Sequence, residues 1–148
     1  MPHSGRNRLP PATARASYGI WTADSLRYGD TDRQGHVNNA VFATFCESGR
    51  VSFLYDRKLD LAGPGGNFVI VRLELDFLAE LFYPGTVEIG TRVLSIGRSS
   101  FRLGQGIFKN HACAATGECI MVLVDDATRK SKPLTPQLRA WLAARVIR

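Results

Sequence analysis

The spacing of apolar positions changes period twice along the chain. Tyr18, Ile20, Trp21, Leu26 and Tyr28 make residues 18–28 an aromatic-rich stretch that suits a strand. Residues 29–35, Gly-Asp-Thr-Asp-Arg-Gln-Gly, are dense in turn formers and predict an irregular loop. Phe42, Phe45, Cys46, Gly49 and Phe53 then recur at intervals of three and four, which predicts a helix with one apolar face, its first turn capped by Asn38 or Asn39. A glycine inside a helix costs about 1 kcal/mol relative to alanine. At Gly49 the expected compensation is another backbone in close approach, such as a sheet lying across the helix.

The cluster Leu61-Ala62-Gly63-Pro64-Gly65-Gly66 ends that pattern, and strands follow. Residues 68–77 read as a strand that alternates along its second half, with Leu73, Leu75 and Phe77 on one face and Arg72, Glu74 and Asp76 on the other. After a turn at Tyr83-Pro84-Gly85, residues 86–96, 101–108 and about 112–124 read as three more strands, and the short connections predict sequential antiparallel hairpins. Pro133 and Pro136 precede a short helix over roughly 137–146. Strand, helix and four strands in this order predict an α+β domain, with one helix covering a face of an antiparallel sheet.

A length of 148 residues, 45% of them hydrophobic, suits one domain that needs no disulfide or metal to hold it together. The longest apolar runs, such as 120–124, are strand-length and far below the roughly 18 residues of a membrane span. Arg6, Arg8 and Arg15 precede no apolar signal core, so a cytoplasmic location is expected. The net charge of +6 sits at the ends. This divides the chain into a basic extension (1–16), a central domain (17–126) and a basic tail with a short helix (127–148). Since the centre is slightly acidic, a nucleic-acid partner is not expected. Cys46, Cys113 and Cys119 contain no C-x-x-C pair and read as small hydrophobes, with no metal site and no cofactor implied.

The densest chemistry lies in residues 28–39, where carboxylates precede a helix N-terminus. Unpaired amides there carry partial positive charge and can stabilise an oxyanion formed on an attacked carbonyl. An aspartate a few residues earlier can attack that carbon or deprotonate a water. By spacing alone, Asp30, Asp32 and the Asn pair serve equally well as a turn and a helix cap.

The run from Asp30 to Arg50 resembles the signature of hotdog-fold thioesterases of the 4-hydroxybenzoyl-CoA thioesterase-like branch. It combines Asp-x-Asp-x-x-Gly, a helix start, Phe42, and Glu47 three residues ahead of Arg50. The resemblance implies a hotdog fold, a curved antiparallel sheet of about five strands wrapped around one long helix. It also implies hydrolysis of an acyl-CoA thioester at a site on a dimer interface, in a homodimer or homotetramer. Asp32 matches the catalytic carboxylate, and the Asn39 amide matches the group that polarises the thioester carbonyl. His36, in the run Gly-His-Val-Asn-Asn, is similar to the histidine of long-chain acyl thioesterases, including the plant acyl-carrier-protein type; where that type has Asn, this chain has Gln34. Asn38, Glu47 and the hairpin residues Arg98, Ser99 and Ser100 are candidates for holding substrate, with Arg98 suited to a CoA phosphate. Two other readings share the fold: a module that binds acyl-CoA or acyl carrier protein without turnover, and a hydratase or dehydratase.

Overall fold

The structure is a computed structural model that describes residues 11–147, so most of the basic N-terminal extension, residues 1–10, lies outside it. Its elements are β1 (Ile20–Ser25), α1 (Asn39–Leu54), β2 (Gly66–Phe77), β3 (Thr86–Ile96), β4 (Ser100–Lys109), β5 (Ala112–Asp125) and α2 (Pro136–Ala143). The strands form one curved antiparallel sheet in the order β1-β3-β4-β5-β2, wrapped on α1. This is the α+β arrangement that the periodicity predicts. Bulges near Ile70, Val93 and Ile107 interrupt the ladders, and such insertions bend the strands that carry them.

Sequential pairing holds only for β3, β4 and β5. β2 pairs with β5, at the edge of the sheet opposite β1 and three places from β3, so residues 78–85 are a crossover rather than a hairpin. The crossover finds its partners elsewhere. The Leu78 and Ala79 amides both donate to the Ala114 carbonyl (2.9 and 3.0 Å), Leu81 is buried, and the Leu81 carbonyl accepts from the Val37 amide at 2.7 Å. These contacts seat the connection against the loop that precedes α1. β1 is also shorter than expected, because Tyr28 starts a 3-10 turn (Tyr28–Asp30).

Asn38 is the helix cap: its Oδ1 accepts from the Ala40 amide at 3.0 Å. At Gly49 the close neighbours are side chains of the sheet, not its backbone. A Cβ there would lie 2.7 Å from both Gln105 Nε2 and Ile89 Cγ2. One core cluster packs the first half of α1 (Phe42, Phe45) on Val37, Val87, Ile89 and Ile107; a second packs Phe53 and Leu54 on Val93, Phe101, Leu103 and Met121. The segment set apart in sequence as a C-terminal tail belongs to the second cluster. Leu138 and Leu142 of α2 are fully buried, and Trp141 stacks on Phe53 with ring centroids 4.8 Å apart. Arg15, counted with the basic extension, lies over the Trp21 ring at 4.4 Å and pairs with Glu88 at 3.2 Å. No helix among the described residues is long and apolar enough to cross a membrane.

Candidate active site

The loop before α1 is a tight reversal. Thr31 and Val37 form a bridge, the Asp32 amide donates to the His36 carbonyl at 2.9 Å, and the Gly35 amide donates to the Asp32 carbonyl at 3.0 Å. Gly35 sits at φ 86°, a backbone angle that glycine adopts without steric cost. His36 bridges to Phe82 of the crossover, so the site is assembled from two segments more than forty residues apart.

The reversal gives the two aspartates different work. Asp30 is structural: its Oδ2 accepts from the Arg27 amide (3.0 Å) and its carbonyl from the Asn38 amide (2.8 Å), which ties the loop to the helix cap. Asp32 Oδ1 accepts from the Gln34 amide at 2.8 Å, while Oδ2 lies 3.0 Å from His36 Nδ1. The other ring nitrogen, Nε2, is 2.8 Å from Gln34 Oε1 and 3.8 Å from Glu80 Oε1. Phe82 meets the imidazole edge-on at 6.4 Å.

His36 and Asn39 line a cavity of about 330 Å³ at the helix N-terminus, walled by Phe42, Phe77, Leu78 and Glu80. Asp32 stands one hydrogen bond behind His36, with 30% of its side chain exposed. Asp32 itself does not line the cavity and reaches it only through His36. Of the first amides of α1, Ala40 donates to Asn38 Oδ1 and Val41 to the Asn38 carbonyl, whereas the Asn39 amide has no acceptor among the described residues. A free N–H at the positive end of a helix is suited to receive an oxyanion. Phe77, predicted on the same face of its strand as Leu73 and Leu75, is 48% exposed and forms the cavity wall against Phe42, with ring centroids 5.2 Å apart.

The remaining sequence candidates lie apart from this cluster. Asn38 spends its side chain on the cap. Glu47 is on an exposed part of α1, two turns from Asn39, and forms no ion pair with Arg50 within 4.0 Å. Arg98, Ser99 and Ser100 sit at the opposite end of the sheet, beside the second core cluster. There the Arg98 carbonyl accepts from the Leu134 amide at 2.9 Å and the Ser99 carbonyl from the Leu123 amide at 2.9 Å. Within one protomer this hairpin does not meet the Asp32 loop. Glu80 and Phe82 were missed in sequence, since nothing local in residues 78–85 signals that they cross to the helix N-terminus.

Comparison with known proteins finds the thioesterase-like superfamily over residues 26–142, a match that includes most of α2. A 1,4-dihydroxy-2-naphthoyl-CoA hydrolase of Synechococcus elongatus is 27% identical over 79% of this chain and 90% of its own. Among solved structures, the PA5185 protein of Pseudomonas aeruginosa is 28% identical, covering 91% of this chain and 96% of its own, with a TM-score of 0.83. A thioesterase from Thermus thermophilus, solved with coenzyme A and zinc, is 29% identical, covering 84% of this chain and 98% of its own, with a TM-score of 0.72.

Proposed function

Because the chain belongs to the thioesterase-like superfamily, we propose that it hydrolyses an acyl-CoA thioester at the cavity bordered by His36 and Asn39. The observation that carries this reading is the 3.0 Å contact between Asp32 and His36, set at the wall of that cavity beside the free Asn39 amide. The thioester carbonyl oxygen receives the Asn39 N–H, which stabilises the charge that develops there on attack. Both carboxylate oxygens of Asp32 already have partners, and His36 is the group that faces the cavity. This favours Asp32 as the residue that orients the imidazole, and His36 as the base that takes a proton from water. With Nδ1–H directed at Asp32, Nε2 is left to accept. Gln34 contends with water for that position, its amide group being free to present either end. The protonated imidazole then returns its proton to the departing CoA thiolate.

A second copy of the chain completes the reading. β2 has a free edge, with Ile70 and Val71 of the strand 42% and 60% exposed and Val51 and Tyr55 of α1 half-exposed beside them. Pairing through that edge, in a dimer or a tetramer built from it, removes this surface from water. Arg98, Ser99 and Ser100 would meet CoA only across such an interface between copies.

The test is thiol release from a panel of short, long and aromatic acyl-CoAs, together with light scattering for assembly. The folded Asp32→Asn protein is expected to lose about 10²–10⁴ in kcat. Undiminished hydrolysis by that variant would refute the assignment. Tight acyl-CoA binding with no thiol release by the unmodified protein would make this a binding module instead.

A further inference from the structure

This inference rests on the hydrolytic reading and concerns the end of the acyl group remote from the thioester. α1 and β2 run antiparallel beside each other. Phe42 at the helix start meets Phe77 at the strand end, and at the other end the Tyr55 hydroxyl donates to Asn67 Oδ1 at 2.9 Å. Next along α1 from the cavity at Asn39 is a second cavity of about 410 Å³, lined by Ala43, Thr44, Glu47 and Arg50 of the helix and by residues 70–73 of β2.

Arg50 is the unusual member of this lining, because it is only 6% exposed. Arginine is rarely buried to this degree without a carboxylate, since a lone desolvated cation is costly. Among the described residues, none comes within 4.0 Å of it. Its Nη1 donates to a neutral acceptor, Gln105 Oε1, at 3.3 Å. The Gln105 amide is itself fixed, because its Nε2 donates to the Cys46 carbonyl (2.9 Å) and to Thr91 Oγ1 (3.1 Å). Gly49 leaves the space that Gln105 Nε2 occupies beneath the helix. The guanidinium is thus held by a polar scaffold that positions its charge and does not cancel it.

The two other charged groups of the cavity do not change its sign. Arg72 is taken up by Glu74 of its own strand. Glu47 is exposed and screened by water, whereas the field of buried Arg50 acts through a medium of low polarisability. The inner wall is positive in otherwise largely apolar surroundings, and a guanidinium matches a carboxylate with two parallel hydrogen bonds.

We propose that Arg50 binds a carboxylate at the far end of the acyl chain, so that the preferred substrates are CoA thioesters of dicarboxylic acids. From Asn39 to Arg50 the helix advances about 16 Å. Because a helical arginine leans back toward the N-terminus, the chain has to span roughly two to three turns of α1.

The experiment compares acyl-CoAs of equal length ending in carboxylate or in methyl, over a series of lengths, by thiol release with the unmodified protein, Arg50→Met and Arg50→Lys. Thermal melting identifies variants that have lost the fold. At the length that spans the groove, the carboxylate end is expected to raise kcat/KM by about tenfold or more. The ratio falls to near one in Arg50→Met and recovers in part in Arg50→Lys. Calorimetric Kd values for the same pairs with Asp32→Asn give a readout independent of turnover. If no thioester in the series is cleaved, the hydrolytic reading fails, while the Kd ratio still decides the role of Arg50. If thioesters are cleaved with no preference for carboxylate at any length, or if folded Arg50→Met keeps the preference, the Arg50 proposal is overturned and hydrolysis stands.

Discussion

Replacing Gly49 with alanine probes the joint between helix and sheet that holds Gln105 and, through it, Arg50. On helix propensity alone the change stabilises by about 1 kcal/mol. The structure reverses the sign. The new Cβ would lie 2.7 Å from Gln105 Nε2 and Ile89 Cγ2, and 3.3 Å from Thr91 Oγ1, where ordinary contact begins at 3.4 Å. Ile89 is fully buried and has no room to retreat. Gln105 cannot retreat without losing its bonds to the Cys46 carbonyl and Thr91 Oγ1. Overpacking of this kind costs about 1–3 kcal/mol, and a buried amide left unsatisfied costs about 1–3 kcal/mol more. Set against the propensity gain, the net loss is about 1–5 kcal/mol. In a chain of this length that lowers Tm by roughly 2–20 °C. Denaturant melts of the two proteins, read by circular dichroism and by tryptophan emission, measure the difference directly. A Gly49→Ala protein as stable as the parent, or more stable, would show that the sheet does not press on the helix there, and would remove the argument for the fixed Gln105.

Three further predictions concern buried or hydrogen-bonded titratable groups. Burial pushes the Cys46 thiol and the Tyr18 hydroxyl up to about 12, and the Cys119 thiol is raised for the same reason. Both folded values of about 12 exceed the ordinary ones, so the stability linked to Cys46 and Tyr18 is complete below about pH 9 and is lost as pH rises toward 12. Tm is therefore expected to fall steadily above pH 9, and Cys46 and Cys119 to resist a thiol reagent at pH 8 until denaturant is added; prompt labelling of either in the native protein would contradict their burial. At the acid end, the Ala127 and Thr128 amides donate to Asp125 Oδ1 (3.0 and 2.9 Å), and the Thr128 amide is the larger cause of a carboxyl held below the usual aspartate range. That contribution is present above the unfolded value near 3.8 and disappears as pH falls through the lower folded value. Asp125→Asn should accordingly melt below the parent at pH 7, with the gap closing below pH 4; a gap independent of pH would place the effect in something other than the carboxylate.

Much of the molecule was determined by short-range information in the sequence. The three- and four-residue spacing of Phe42, Phe45, Cys46, Gly49 and Phe53, the asparagine cap and the breaker at 61–66 define α1. Alternation from Arg72 to Phe77 defines the faces of β2, and the Asp-x-Asp-x-x-Gly run marks the candidate loop and the fold family. Each of these follows from backbone period or local hydrogen bonding, which operate over a few residues. Tertiary structure decided the rest. β2 became an edge strand because residues 78–85 found partners at Ala114 and Val37, a choice between long-range pairings on which local spacing is silent. The same crossover brought Glu80 and Phe82 to His36. Glu47 and Arg50 have the spacing of an ion pair, yet Arg50 turns inward to Gln105 because the sheet beneath the helix offers a fixed acceptor there. α2, a basic tail by charge count, closes the core because Leu138, Trp141 and Leu142 face the end of α1. Which surfaces meet is set by burying apolar area across the whole domain, and that sum can be taken only once the chain has folded.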